Sequence, residues 1–344
     1  MGKLLLDSTG QTIATGITTL NTNLQNMQGS LADLDTTSKL NLVSAVNELK
    51  ANIGILGSLD TEANSSLVAA INEVAANAGF NGTIWDLLDE YTDGGAGLHN
   101  SIFRGKNLGT SVTSEQWAQI QAGTFKDMYI GDYWVVTVPA GTYNGTSYSA
   151  RDIKFRIADF NYWLNTYQSS SYLATPHIVL VPDEKLYDAK MNDTNTTEGG
   201  YYGSKMHSTY LADAKTIINN AFGSSHVLSH SLYLTNAVTN GRPSGSSRYD
   251  NCTVELMSEQ MVYGSSIYGA DTDPTSINGG FYTYDKSQLN LFKHRHDLIK
   301  PGTSGYWLRD VVSAACFAFV SSYGYAIYYN ASFSYGVRPA VAIA

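Results

Sequence analysis

Seven apolar residues, Ile13, Ile17, Leu20, Leu24, Met27, Leu31 and Leu34, follow one another at alternating steps of four and three. That spacing lines a single seam of a helix. The positions between them are Thr, Asn, Gln and Ser, so the helix has a narrow apolar stripe and no second face to bury. A helix of this kind is marginal alone and closes its seam by pairing with copies of itself. Isoleucine at several seam positions leans toward three strands.

A repeat overlaps the end of this seam. Leu31, Leu34, Asp35 and Thr36 recur as Leu56, Leu59, Asp60 and Thr61, and the run from Leu42 to Leu49 recurs from Leu67 to Val74. Both matches fall at one offset of about 25 residues without a gap, the mark of an internal repeat. Each copy (31–49 and 56–74) reads as a Leu-Asp-Thr turn followed by a short amphipathic helix. The Leu-Val-x-Ala-Ile-Asn-Glu-Val unit resembles shaft segments of phage tail fibres. The expectation for residues 1–80 is therefore an α-helical coiled-coil and repeat stalk, trimeric in the assembled particle.

Composition changes near Gly79, Phe80, Asn81 and Gly82, and residues 81–344 form a second region rich in Tyr, Trp and Gly. Residues from Trp134 to Val138 and from Arg151 to Phe160 alternate as half-buried strands, and His177 to Pro182 reads as a buried one. Leu211, Ala214, Ile217, Ile218 and Phe222 hold helical spacing, with Ser208 or Thr209 as the expected cap and Gly223 as the stop. A further helix is predicted over about 114–121, and Asp193 to Gly203 is expected to be a polar loop. No βαβ rhythm appears, so the fold class is α+β with long connections.

The last forty residues carry the most specific signal. Tyr306, Trp307, Leu308, Arg309 and Asp310 open this stretch, and Gly336, Val337, Arg338, Pro339 and Ala340 close it. Between them, residues 321–335 are dominated by Tyr and Ser, the pairing that recognition surfaces favour. The W-L-R and G-V-R-P-A frame resembles the C-terminal half of C-type-lectin-like domains in the variable proteins of diversity-generating retroelements, a fold class shared with phage tropism determinants. The likeness spans about residues 103–344. It implies a C-type-lectin-like head with long insertions and a variable region at about 306–340, where a reverse transcriptase rewrites adenines in the gene. The residues expected on the variable, ligand-binding face are Asp310, Ser313, Ala314, Tyr323, Tyr325, Tyr328, Tyr329, Ser332, Phe333 and Tyr335. Trp307, Leu308, Phe317, Phe319, Val337 and Pro339 are expected in the core, with Arg309 and Arg338 as buried structural pairs.

The function implied is a phage receptor-binding protein, a tail or head fibre adhesin. Its partners are a host cell-surface receptor (protein or glycan), two further copies of itself, and other virion proteins at the N-terminus. A polysaccharide depolymerase is the competing reading, with Glu255 and Glu259 as the available carboxylates; as a helical pair they read as a solvated face. A non-binding structural virion part is the third reading. A net charge of −9 without a basic stripe argues against nucleic acid. The apolar start at Leu4, Leu5 and Leu6 ends at Asp7, short of a signal core, and no stretch reaches the length of a membrane span. The chain is expected to be made in the host cytoplasm and carried on the virion.

Catalytic signatures are missing: no phosphate loop, no H-E-x-x-H and no G-x-S-x-G. The expectation is no enzyme, no cofactor and no metal. Cys252 and Cys316 read as two buried free thiols. His294 and His296 would share one strand face without a third ligand, and His226 and His230 read as core or surface residues. The calcium motifs of sugar-binding C-type lectins do not occur, and the two cysteines do not match the close pair that formylglycine-generating enzymes use.

Overall fold

A computed structural model describes residues 13–28, 37, 41–53, 66–77, 95–168, 171–240, 242–243, 247–269, 287–300, 302 and 304–344. The chain is α+β and divides into two compact units, Met1–Leu87 and Leu88–Ala344. Leu31, Leu34, the repeat turns at 31–36 and 56–61 and the predicted boundary at 79–82 lie outside the described residues.

The first unit contains helices α1 (Ile13–Gln28), α2 (Leu42–Ile53) and α3 (Leu67–Asn77). In α1 the seam residues Ile17, Leu20 and Leu24 are exposed, Ile17 by 62 %. The repeat is kept in three dimensions. Asn41 Oδ1 accepts from the Ser44 amide and Ser66 Oγ from the Ala69 amide, so each helix is capped at the equivalent place. Ala45 and Ala70 are buried at matching positions, while Val43, Val46 and Leu49 in one copy and Val68, Ile71 and Val74 in the other stay exposed. The same apolar row is therefore exposed at the same register in both copies. Among the described residues, no helix is long and apolar enough to cross a membrane.

The second unit holds two principal sheets. The first has six strands, in the order Asn107–Gly109, Tyr133–Val138, Arg151–Phe160, Ile178–Pro182, Pro339–Ile343 and Val254–Leu256. All its pairings are antiparallel except that of Asn107–Gly109 with Tyr133–Val138. Ile153, Phe155 and Ile157 are buried on one face of the long strand, as the alternation predicts. The second sheet has five strands, in the order Ala326–Asn330, Cys316–Val320, Tyr306–Val311, Tyr335–Val337 and Tyr187–Ala189.

Two arginines tie these sheets together. The chain crosses from one sheet to the other at Arg338, between Tyr335–Val337 and Pro339–Ile343. The Arg338 guanidinium donates to the carbonyls of Pro182 (2.7 Å), Ile299 (3.1 Å) and Leu298 (3.0 Å) and lies against the Tyr306 and Phe292 rings. Arg309, in the central strand of the second sheet, donates from Nη1 to the Leu256 carbonyl at 2.6 Å, on the edge strand of the first. Both side chains are buried, as expected, and both are paired with backbone carbonyls. Trp307, Leu308, Phe317, Phe319, Val337 and Pro339 all lie in the core.

Three local expectations are corrected. The helix Ala212–Phe222 ends at Gly223 as predicted, but its start is not capped by Ser208 or Thr209. A π-helical turn, Met206–Tyr210, runs into it through Leu211, whose carbonyl accepts from the Lys215 amide, while the Tyr187 hydroxyl meets the Ala214 amide at 3.1 Å. His294 ends the short helix Asn290–His294 and His296 begins a 3-10 turn, so the two imidazoles do not share a strand face. Cys252 is a buried free thiol, whereas Cys316 is only half-buried because it starts a strand one place in from the sheet edge. The helix Ser114–Ala122 forms with a full capping box between Thr113 and Gln116.

Candidate functional site

Among the described residues, the strand Ala326–Asn330 is the outer edge of the second sheet, hydrogen-bonded only to Cys316–Val320. The turn joining these strands is tightly made. Ser321 donates its amide to the Tyr325 carbonyl (2.8 Å), the Gly324 amide reaches the Ser321 carbonyl (2.9 Å), and Ser321 Oγ accepts from the Tyr325 amide (3.0 Å). Gly324 sits at φ +87°, a conformation that glycine adopts without strain. The turn lifts Tyr323 and Tyr325 into solvent, 74 % and 69 % exposed, with their rings stacked 6.1 Å apart.

Beside this turn lies a cleft of about 650 Å³ walled by Tyr268, Phe319, Tyr323, Tyr325, Tyr329 and Tyr335, with Ser304, Gly305, Ser321 and Ser322 among its small and polar lining. Among the described residues, none that lines it is charged. Its floor is continuous with the core: Trp307 meets Phe319 and Tyr335 edge-on at 5.4 and 5.5 Å, and Phe319, Tyr329 and Tyr335 contact one another at 4.4–5.1 Å. Trp307 is itself held by its indole N–H to the Ala189 carbonyl at 2.9 Å. Burial, reinforced by Tyr329, holds the Tyr335 hydroxyl above its ordinary range, so it stays neutral at physiological pH. The Ser304 hydroxyl is buried and makes no hydrogen bond among the described residues. The described lining of the cleft offers broad apolar contact and a few hydroxyls.

The cleft wall is braced from behind. Glu259, fully buried, accepts from the amides of Ile267 (2.8 Å), Tyr268 (3.0 Å) and Gly269 (2.8 Å), fixing the loop that carries Tyr268. Tyr268 then packs edge-on against Tyr328 at 5.3 Å. Tyr263, from the same short helix Glu259–Tyr263, donates to the Gly324 carbonyl at the turn.

Asp310 was expected on the exposed face, and the structure corrects this. It is fully buried, and its Oδ2 accepts from the Glu259 amide at 2.7 Å, where it caps the helix that braces the cleft. Of the other expected residues, Tyr323, Tyr325, Tyr329 and Tyr335 meet in the cleft. Tyr328 lies on the opposite face of the edge strand from Tyr329, as the two-residue period requires. Phe333 is exposed beside Tyr329 and Tyr335. Ser313, Ala314 and Ser332 belong to a separate patch. There Thr197 bonds the Ser313 and Ala314 carbonyls, and Asn195 Oδ1 accepts from both Ser332 donors. Tyr268, Ser304 and Ser322 were not anticipated. The first two lie outside the Tyr/Ser-rich run, and only the fold brings them to it.

Glu255 and Glu259 do not form a solvated helical pair. Glu255 lies on the strand Val254–Leu256 and Glu259 opens a helix, and both are buried among donors that offset the loss of water. Neither lines the cleft. Comparison with known proteins finds no matching family model, curated protein or solved structure.

Proposed function

We propose that this chain is a phage receptor-binding protein: a trimeric helical stalk carrying a C-type-lectin-like head whose Tyr/Ser-rich face, diversified by a retroelement, binds a host-surface receptor. The observation that carries the reading is the aromatic cleft, with no charge among its described lining, built on a sheet edge inside the frame that resembles the variable proteins. The core holds the frame, and the residues between its two arginines supply Tyr323, Tyr325, Tyr329 and Tyr335 to the cleft. Exposed tyrosines on a rigid turn give large contact area at low entropic cost. The exposed apolar seam of α1 and the matching rows on α2 and α3 support self-association, through which other virion proteins would take up the N-terminus. The protein would then sit on a tail or head fibre.

Binding of the purified protein to permissive host cells tests the head. Replacing Tyr323 and Tyr325 together by serine is expected to weaken binding at least about 10-fold, since central aromatic residues carry most of an interface's energy. The variant should melt as the wild type does. Unchanged binding by that folded variant would overturn the assignment of the face. For the stalk, deletion of residues 1–78 is expected to convert a trimer into a monomer by light scattering. An oligomer that survives the deletion removes the stalk from the account. Deep sequencing of the 3′ end of the gene addresses diversification. Substitutions at adenines in the codons for residues 310–335, sparing Trp307 and Arg338, are the expected result, and an invariant segment leaves a fixed-receptor adhesin.

A further inference from the structure

On a different part of the second unit, three side chains of unlike chemistry converge. His207 comes from the π-helical turn Met206–Tyr210, Cys252 from the end of the strand Ser247–Cys252, and Glu255 from the strand Val254–Leu256. Their donor atoms all lie within 4.8 Å of one another, and His207 Nδ1 is 3.1 Å from Glu255 Oε1. Behind them stands a second layer. The Tyr201 hydroxyl, fully buried, donates to Glu255 Oε2 at 2.5 Å, and Asp250 Oδ2 lies 3.2 Å from His207 Nε2.

The geometry points to a divalent transition-metal site in which His207 Nδ1, Cys252 Sγ and Glu255 Oε1 are the ligands and zinc is the preferred ion. Three features of the cluster carry this. First, imidazole, thiolate and carboxylate are the donor set that zinc takes, and its bond lengths of about 2.0–2.3 Å place tetrahedral ligand atoms about 3.3–3.8 Å apart. The present spacing needs closure by only about an ångström. Second, each nitrogen and oxygen ligand already has an outer partner. Asp250 Oδ2 stands 3.2 Å from His207 Nε2, which leaves Nδ1 as the nitrogen that would face the ion, and Tyr201 holds the spare oxygen of Glu255. A carboxylate–imidazole pair behind a metal is the usual way such a ring is oriented. Third, the cluster is buried but reachable: the His207 side chain is 11 % exposed and that of Asp250 28 %. Water can thus fill the fourth position. On binding, the Cys252 thiol gives its proton to solvent and the ion takes its place. The ion would pin the π-helical turn to two neighbouring strands, far from any charge demanded by the cleft. This inference stands independently of the receptor-binding reading.

The test uses the full chain, stripped with a chelator and then loaded with Zn²⁺ alone or Co²⁺ alone. Elemental analysis is expected to find one zinc per chain after dialysis. With Co²⁺, a sulfur-to-cobalt charge-transfer band is expected, retained in Cys316→Ser and lost in Cys252→Ser. Glu255→Gln is expected to weaken zinc binding on the order of 100-fold. Sub-stoichiometric zinc in the wild type means a hydrogen-bonded cluster and no ion, and overturns the proposal. So does a Cys316→Ser protein, with its half-buried edge thiol gone, that shows no charge-transfer band. That second variant keeps the test decisive even where Cys252→Ser fails to fold.

Discussion

Arg338→Met is expected to destabilise the second unit by about 3–5 kcal/mol, lowering its melting temperature by roughly 10 °C. The methionine keeps most of the apolar stem but leaves the carbonyls of Pro182, Leu298 and Ile299 buried without a donor. Each orphaned carbonyl costs about 1–3 kcal/mol, and the contacts to the Tyr306 and Phe292 rings weaken as well. Arg338→Lys is expected to recover only part of the loss, because an ammonium cannot span three carbonyls held in different directions. Thermal and urea unfolding of the three proteins measures this. A loss below about 1 kcal/mol in Arg338→Met would mean that Arg338 is not needed to hold the two sheets together.

Acid is expected to unfold this protein in a window set by two histidines around one tryptophan. His230 stacks on Trp163 with ring centroids 3.8 Å apart, and His177 lies beside the same ring at 6.2 Å. Both are buried. His177 accepts from the Trp163 amide at Nε2 (3.1 Å) and donates from Nδ1 to the Thr175 carbonyl (2.9 Å), which requires the neutral imidazole. His230 has no hydrogen-bond partner at either ring nitrogen among the described residues. Burial brings His177 down to about 4, and burial with the neighbouring His177 brings His230 down to about 3. An unfolded histidine takes up its proton near 6.5. The stability that these groups contribute is therefore complete above pH 6.5 and is lost as pH falls toward 4 and 3, amounting to several kcal/mol. Asp159 works in the opposite direction. Burial raises its carboxyl to about 7, so its contribution is present below about pH 4 and lost as pH rises through 7. Urea midpoints at pH 7 and pH 4.5 separate the two. His230→Phe is expected to flatten the acid loss and Asp159→Asn to steepen it. A pH profile for His230→Phe that superimposes on the wild type would remove the histidines from the cause.

Much of the fold was legible because it rests on periodicity. The strand Arg151–Phe160 and the helix Ala212–Phe222 bury the residues that alternation or helical spacing marks, and the α2 and α3 repeat appears as equivalent caps and equivalent exposed rows. The site was legible in part. Residues 321–335 were marked by composition, and four of the tyrosines do meet. Asp310 could not be placed from the chain alone, since an acidic residue between Arg309 and Val311 reads as exposed unless one knows that the Glu259 amide waits for it inside. Tyr268 and Ser304 were invisible for the same reason: they reach the cleft by tertiary contact, not by local pattern. His207, Cys252 and Glu255 share no short spacing either, and only the crossing of a π-helical turn over two strands unites them.

Among the described residues the edge strand Ala326–Asn330 has a single hydrogen-bonded neighbour, while the arginines that join the sheets lie at the far ends of the framed segment. If the cleft is the recognition face proposed above, recognition and folding are written in separate parts of the same forty residues. A lineage can revise the outward tyrosines freely, because solvent-facing changes of that kind usually move stability by less than about 0.5 kcal/mol. On the proposed reading, the head would be a fixed mount with an interchangeable rim, following a drifting target without re-solving its own fold at every step.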